Sequence, residues 1–99
     1  MNELEKYSNP YIAQKNAEKY LGKDAQLYVS TQSNKKYMIY DPYNNKWIHF
    51  GTMKPAMEDF TKHRDLERRK RYLARATKIK GDWKNNPYSP NNLSIHILW

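Results

Sequence analysis

Apolar positions recur at helical spacing near the N-terminus, between a proline and a glycine. The apolar positions at i, i+4, i+7 and i+8 are Ala13, Ala17, Tyr20 and Leu21. They form one stripe along a helix. Asn9 or Ser8 can cap the first exposed N–H groups. Pro10 fits the first helical turn and Gly22 favours the end of the helix. The pattern therefore predicts an amphipathic helix over residues 11–21.

Three short segments rich in aromatic and β-branched residues follow, at residues 26–31, 35–41 and 46–51. Stretches of Asn, Asp, Ser and Pro, which are typical of turns, separate them. Strands joined by short turns usually pair side by side in opposite directions. We therefore predict a three-stranded antiparallel meander.

Large side chains occupy both faces of the second and third predicted strands. The alternating sets are Tyr37 and Ile39 against Met38 and Tyr40, and Trp47 and His49 against Ile48 and Phe50. We expect this hairpin to pack on one face and to present aromatic rings on the other. Ile39 and Trp47 are predicted to be structural, and Tyr43, in the turn, is predicted to contribute little to folding.

The helical period returns after the hairpin. A short turn is predicted over residues 58–62, followed by a helix over residues 65–78 with Asp65 as its N-cap and Gly81 as a stop. Its narrow apolar stripe consists of Leu66, Leu73 and Ala76, with Tyr72 and Ile79 at the margins. Basic residues cover most of the remaining circumference.

The C-terminal segment is polar at first and apolar at its end. The large apolar residues of this end are Ile95, Ile97, Leu98 and Trp99. If they were exposed they would favour aggregation, so we expect protein to bury them. The expected partner is either the chain's own meander, to which the segment adds a strand, or a neighbouring subunit.

Together these elements predict an α+β fold in a single small domain of residues 1–99. A three- or four-stranded antiparallel sheet (meander) is expected to carry an N-terminal helix and a basic helix packed on it. Residues 1–34 supply the first helix and strand, residues 35–81 the aromatic hairpin and basic helix, and residues 82–99 an extended C-terminal tail.

Positive charge is concentrated in one quarter of the chain. The net charge is +8 and the isoelectric point is near 9.7. Residues 62–84 contain ten Lys or Arg against three acids, whereas the rest of the chain is nearly balanced. Such a field attracts phosphate backbones or acidic protein surfaces.

The candidate contacts for nucleic acid or an acidic partner are the ten cations of this segment, because Arg forks and Lys ammonium groups both suit phosphate oxygens. They are Lys62, Arg64, Arg68, Arg69, Lys70, Arg71, Arg75, Lys78, Lys80 and Lys84. A solvated helix face is the structural alternative. Three tyrosines, Tyr40, Tyr43 and Tyr72, are candidates for stacking on bases, and core packing is the alternative for aromatic residues of the hairpin.

Residues that carry catalysis are sparse. Cysteine is absent, so disulfides and thiolate sites are excluded. His49, His63 and His96 lack partners at metal-ligand spacing. Glu58 and Asp59 precede His63 closely, but adjacent carboxylates commonly start helices. The three glycines are isolated, so no glycine-rich phosphate loop is present. We therefore predict a non-enzymatic protein without cofactor or metal.

The chain contains no apolar run of about 18 residues, the length that indicates a membrane span. Residues 1–6 lack the cationic and then apolar order of a signal peptide. We therefore expect an intracellular protein that neither enters a membrane nor is secreted.

Several sequence blocks, in order along the chain, resemble a family of short basic proteins encoded by nucleocytoplasmic large DNA viruses, the giant viruses. The blocks are residues 36–42, 46–51 and 59–63, then Arg68-Arg69, residues 88–94 and Leu98-Trp99. The resemblance covers about residues 35–99. It implies a viral setting, with localisation in the virion and in the cytoplasm or nucleus of the infected host cell, and it supplies no catalytic residues.

Two functions are consistent with these features. The first is a protein that binds viral nucleic acid through its phosphate backbone, with weak sequence specificity. The second is a virion structural protein, a minor capsid or cement protein, that contacts acidic coat proteins. In either case residues 95–99 are a candidate surface for homo-oligomer formation. An enzyme such as a small nuclease is disfavoured, because no acid, base and metal set is evident.

Overall fold

Residues 3–99 are described by the structure, a computed structural model, and they begin with two helices. Helix α1 spans Leu4–Tyr7 and helix α2 spans Pro10–Leu21. The side chain of Asn9 accepts hydrogen bonds from the first N–H groups of α2, so Asn9 is the cap. Ala13 and Ala17 are fully buried on the inner face. The predicted N-terminal helix is therefore confirmed.

The sheet has three antiparallel strands in the order β1-β2-β3. Strand β1 spans Tyr28–Val29, β2 spans Lys35–Asp41 and β3 spans Lys46–Thr52. Asp41 closes the hairpin, since its carboxylate accepts N–H bonds from Tyr43 and Asn44 in the turn. The meander is confirmed, although β1 is much shorter than the predicted residues 26–31.

One face of the sheet forms the core and the other stays open. Tyr37, Ile39 and Phe50 are buried, as the alternation predicts for this face. Trp47 lies directly across from Tyr40 and is 46% exposed. Trp47, which we predict to be structural, therefore lies outside the core, on the open face of the hairpin.

Two short helices follow the sheet. Helix α3 spans Phe60–His63 and helix α4 spans Leu66–Ala76, with Asp65 as the predicted N-cap of α4. Within α4, Ala76 is buried but Leu66 is 71% exposed. Leu66 is thus wrongly assigned to the buried stripe, because α4 contacts the rest of the protein mainly through its middle and last turns. Ile79 lies beyond the end of α4 and is exposed as well.

The C-terminal segment is helical rather than extended. It consists of a 3-10 turn over Asp82–Asn85, helix α5 over Pro90–Leu93 and a π-helical turn over Ser94–Leu98. Ser89 caps α5 through a hydrogen bond from the Asn92 N–H. The extended conformation expected for residues 82–99 is therefore wrong. The alternation of Ile95, His96 and Ile97 resembles a strand, but Ser89 and Pro90 start a helix just before it.

The same segment completes the core. Leu93, Ile97 and Leu98 are buried in one cluster with α2 and the inner face of the sheet. The expectation that protein buries the apolar end is confirmed, and the burying surface belongs to the chain itself. The fold is α+β with a three-stranded antiparallel sheet and flanking helices, as predicted.

A buried ion pair joins β2 to the start of α3. The Lys36 ammonium lies 3.0 Å from an Asp59 carboxylate oxygen, and both side chains are 4% exposed or less. Lys36 also donates to the Met57 carbonyl at 2.6 Å and to the Tyr7 carbonyl at 3.4 Å. Burial lowers the pKa of Lys36, and the attraction of Asp59 opposes that shift. The ammonium group of Lys36 is thus shielded from water, and its three acceptors replace the lost hydration.

Hydroxyl groups extend this network to the N-terminal helices. The Thr61 N–H donates to the second Asp59 oxygen at 3.0 Å, and the Thr61 hydroxyl donates to the same atom. Ser8 shares hydrogen bonds with Thr61 at 3.1 Å and with the Tyr37 hydroxyl at 2.7 Å. One continuous polar network thus ties the α1–α2 junction, β2 and α3 together.

Gly51 makes room for the ion pair. A Cβ atom at this position would lie 2.9 Å from Leu98 Cδ1 and 3.0 Å from Lys36 Cβ. Gly51 also has a φ of 80°, a backbone conformation that residues other than glycine rarely adopt. Glycine is therefore required here, where the stem of Lys36 passes beneath the C-terminal segment.

Removing one partner of the ion pair should strongly destabilise the fold. We expect Lys36→Ala or Asp59→Ala to lower the free energy of unfolding by about 3 to 5 kcal/mol, because each leaves a buried charge without its partner. Urea denaturation monitored by circular dichroism measures the loss. The matched control is Lys35→Ala, one residue away and outside the network, which should cost less than about 1 kcal/mol. Equal losses at the two lysines would contradict the assignment.

Deleting residues 95–99 should abolish folding of the isolated chain. The buried side chains of Ile97 and Leu98 alone contribute roughly 3 to 6 kcal/mol, which is comparable to the total stability of a small domain. Circular dichroism and size-exclusion chromatography test this. The control is His96→Ala, a change at an exposed position of the same turn. A truncated chain that remains folded but loses self-association would instead indicate a subunit interface.

Candidate nucleic-acid interface

The ten predicted contact cations follow α3, α4 and the loop beyond them. Lys62 lies in α3 and Arg64 lies in the turn between the two helices, with a φ of 56°. Five cations belong to α4, namely Arg68, Arg69, Lys70, Arg71 and Arg75. Lys78, Lys80 and Lys84 follow the end of that helix. The ten cations thus lie in one continuous stretch of the chain that is helical over α3 and α4.

Three arginines share one exposed edge of α4, which we call the arginine stripe. Arg68, Arg71 and Arg75 are spaced i, i+3 and i+7, so they lie one above another on a helix. Their Cα atoms span about 10 Å along the axis, from seven residues at about 1.5 Å each. Arg71 and Arg75 are exposed, and Arg68 is partly exposed. The three residues therefore share one face of the helix.

The charge of this segment is not neutralised internally. Across residues 3–99, the ion pairs of the structure are Lys6–Glu3 and Lys36–Asp59, and neither involves residues 62–84. The Asp65 carboxylate is engaged with the N–H groups of Glu67 and Arg68 as the cap of α4. Asp65 and Glu67 thus lie at the start of α4, where negative charge stabilises a helix, and none of the three arginines forms an ion pair within residues 3–99.

Two of the predicted contact residues instead hold the C-terminus. Arg69 Nε donates to the Trp99 carbonyl oxygen at 2.6 Å, and the guanidinium lies 5.4 Å from the Phe60 ring centroid. Tyr72 stacks on Trp99 with ring centroids 4.2 Å apart and planes only 8° from parallel. We therefore correct the candidate set by removing Arg69 and Tyr72. Sequence reasoning missed these roles because Trp99 lies about thirty residues away.

His63 completes this junction between α3, α4 and Trp99. Its ring lies 5.2 Å from Trp99 and 6.0 Å from Phe60, measured between centroids. Nδ1 accepts the Asp65 N–H at 2.9 Å, so the neutral ring carries its proton on the buried Nε2, which has no hydrogen-bond partner within the described chain. Burial lowers the pKa of His63, and the nearby Arg68 charge lowers it further.

A second surface feature lies on the open face of the sheet, at the hairpin end. Tyr28, Tyr40 and Trp47 pack edge to face there, with centroids 5.6 Å apart for Tyr28–Trp47 and 5.5 Å for Tyr40–Trp47. Tyr43 lies beside them and is 81% exposed, with Tyr88 6.0 Å away. They border a groove of ≈430 Å³, which we call the aromatic groove. Tyr40 and Tyr43 were predicted as stacking candidates, whereas Tyr28 and Tyr88 were not.

The carboxylates near His63 are committed to other contacts. The Asp59 oxygens are engaged by Lys36 and Thr61, and His63 Nδ1 by the Asp65 N–H. Across residues 3–99 no cluster of three or more His, Cys, Asp or Glu side chains has a geometry that could hold a metal ion. Asp59 and His63 are therefore engaged in structural contacts in the observed arrangement.

A family match includes both the sheet and the arginine stripe. Residues 25–76 match the profile of a family of unknown function, DUF5754, and this range is just over half of the chain. The chain belongs to this family. The matched range contains Lys36 and Asp59 and extends to the end of α4, whereas Trp99 and the α2 helix lie outside it. No curated protein and no solved structure matches the chain.

Membrane insertion through a helix finds no support in the structure. Among residues 3–99, no helix has the length and apolar character that crossing a bilayer demands.

Stability should fall as the pH is lowered from 7 to about 5.5. Burial lowers the pKa values of His63 and His96 below the ordinary 6.5 in the folded state. The unfolded chain therefore binds more protons near pH 6, and the folded state loses stability as the pH falls through 6.5. Protonating His63 Nδ1 would also remove the acceptor of the Asp65 N–H bond. Denaturant midpoints measured at a series of pH values test the expectation.

The variant that tests the role of His63 is His63→Asn. The side-chain oxygen of Asn can replace Nδ1 as an acceptor, and the Asn side chain does not titrate. It should reduce the dependence of stability on pH, and adding His96→Asn should reduce it further. An unchanged pH profile in the double variant would rule out these two histidines as its source.

Proposed function

We propose that the protein binds nucleic acid through the phosphate backbone, with the arginine stripe and the neighbouring lysines as its contacts. The observation that carries this proposal is a line of three arginines whose charge no acid of the described chain neutralises. Guanidinium groups in a row can engage successive phosphates with paired hydrogen bonds. Lys78 and Lys80 extend the same positive path beyond the end of α4.

Weak sequence specificity is part of the proposal. Recognition of a mixed base sequence in the major groove usually needs Asn or Gln, which bind adenine, beside Arg, which binds guanine. Helix α4 contains no Asn or Gln, and its polar side chains are almost all charged. Contacts to phosphates carry no sequence information directly. Binding is therefore proposed to depend on salt and only slightly on sequence.

The viral setting and the location in the virion or infected cell, which the resemblance to giant-virus proteins implies, remain proposals. A virion structural role would use the same cations against acidic coat proteins. The burial of Ile97 and Leu98 by the chain's own core supports a self-sufficient binding domain over one that needs these residues for assembly. The two roles are separated by purifying the protein in high salt and following the ratio of absorbance at 260 and 280 nm before and after nuclease treatment.

The arginine stripe should dominate the salt dependence of binding. For the triple variant Arg68→Ala, Arg71→Ala, Arg75→Ala, we expect weaker binding to duplexes of every sequence. The slope of log affinity against log salt concentration is negative, and its magnitude should fall by about 2 to 3, because each lost phosphate contact removes about 0.9 from that magnitude. Fluorescence anisotropy of labelled duplexes at several salt concentrations measures both quantities.

The control variant removes the same charge elsewhere. Lys15, Lys19 and Lys23 are exposed in or just after α2, so changing all three to Ala gives the same net charge without touching the stripe. It should bind nearly as well as the unmodified protein. If both triple variants lose affinity equally, net charge rather than the stripe is responsible. If the unmodified protein binds no nucleic acid at low salt, the proposed function fails.

A further inference from the structure

The aromatic groove is built by strand register and not by chance clustering of surface residues. Tyr40 and Trp47 are direct cross-strand partners in the β2–β3 hairpin. Tyr28, on β1, reaches the same face, so each outer strand supplies one ring beside the central strand's ring. Three large rings on one open sheet face, each more than two-fifths exposed, form a platform of π-surface that the core does not use.

The basic segment ends close to this groove. Lys84 is the last cation of residues 62–84, and Tyr88, four residues later, borders the groove. Four residues span at most about 14 Å, even when fully extended. The intervening chain is folded, since the Asn86 N–H donates to the Trp83 carbonyl and the Ser89 N–H donates to the Asn86 carbonyl. The Cα atom of Lys84 therefore lies within about 14 Å of the Cα atom of Tyr88, at the edge of the aromatic groove.

We infer that the aromatic groove stacks unpaired bases, so that the nucleic acid bound by this protein is single-stranded where it crosses the sheet. This inference rests on the proposed function and narrows its ligand class. In a duplex the base faces are stacked on one another, so side-chain rings cannot reach them. An unpaired strand offers both a base face for the rings and a phosphate for each nucleotide. Aromatic platforms next to cations are the arrangement that recognises such strands without sequence preference.

Charge decides between this occupant and others. An apolar peptide or a second copy of the chain could also cover exposed rings. The net charge of +8 and the nearness of the basic segment 62–84 in the chain favour a polyanion, although the lining of the groove itself contributes the carboxylate of Asp24. A second copy carries the same net charge of +8 and would be repelled. Single-stranded nucleic acid is the occupant that offers unpaired bases to the rings and phosphates to the cations.

The experiment compares a single strand with a duplex. Oligothymidylate of about 16 nucleotides, near the upper site size of a small single-strand-binding domain, is titrated against a duplex of equal length at one salt concentration. The unmodified protein should prefer the single strand. In Tyr43→Ala, the ratio of single-strand to duplex affinity should fall about 5- to 150-fold if one base loses its stacking partner. Tyr43 is 81% exposed, so this variant should fold normally.

The matched control is Tyr11→Ala, a similarly exposed tyrosine on α2 and outside the groove, which should leave the ratio unchanged. Trp47→Ala should lower the ratio as well, whereas Trp47→Phe should retain most of it. Circular dichroism verifies that each variant is folded.

Four results would overturn the inference, and they differ in whether they also reject the proposed function. Equal affinity for both ligands, or an unchanged ratio in both Tyr43→Ala and Trp47→Ala, rejects base stacking but leaves phosphate binding intact. Failure of both ligands to bind rejects the proposed function as well. Self-association that depends on Trp47, detected by sedimentation without nucleic acid, assigns the groove to a second copy of the chain.

Discussion

The buried pair of Lys36 and Asp59 is the constraint on which the arrangement of the other elements depends. Taking both charges out of water costs several kcal/mol per ion, which the pair can recover only if every donor and acceptor is placed accurately. The three acceptors of Lys36 come from two places in the chain: the end of α1, which supplies the Tyr7 carbonyl, and the loop before α3, which supplies the Met57 carbonyl and Asp59. Satisfying one ammonium therefore fixes the positions of both places relative to β2.

This constraint extends to the candidate interface through α3. Asp59 caps α3 and holds Thr61, so the ion pair sets where α3 begins. At the other end of α3, His63 accepts the Asp65 N–H, and Asp65 in turn caps α4. The orientation of the arginine stripe thus follows, through two consecutive caps, from a charge pair in the core. The open face of the sheet is more independent, since strand register alone places its rings.

The elements of the fold were largely predictable because their signals are local. Strand β2 begins and ends where alternation and turn residues predict, and Asn9 and Asp65 cap helices that the sequence marks clearly. Long-range roles were not predictable. Lys36 looks like any exposed strand lysine until Asp59, 23 residues away, is placed beside it. The position of Trp47 outside the core was not predictable either, because both faces of the hairpin carry large side chains and the sequence does not say which face the helices cover.

The candidate site shows the same division between local and distant information. Net charge and helical spacing identify Arg68, Arg71 and Arg75 without any structure. Arg69 and Tyr72 are adjacent in sequence to those residues, and their chemistry suits a ligand equally well. Arg69 instead donates a hydrogen bond to Trp99, and Tyr72 stacks on its ring. Only the folding of the C-terminal segment, expected to be extended, reveals which side of α4 is taken.

The way α4 is held also bears on what it can recognise. Ala76 is the buried residue of this helix, and the other contacts along its length include those of Arg69 and Tyr72 with Trp99 and a hydrogen bond from the Asn91 side chain to the Ala76 carbonyl. A helix attached along one narrow side cannot be positioned as rigidly as an element buried in the core. Reading base edges demands accurate placement, because a bidentate hydrogen bond tolerates little displacement. Attraction between arginines and phosphates falls off gradually with distance, so it tolerates such movement. The attachment of α4, like its composition, therefore favours contacts with the phosphate backbone over recognition of the base sequence.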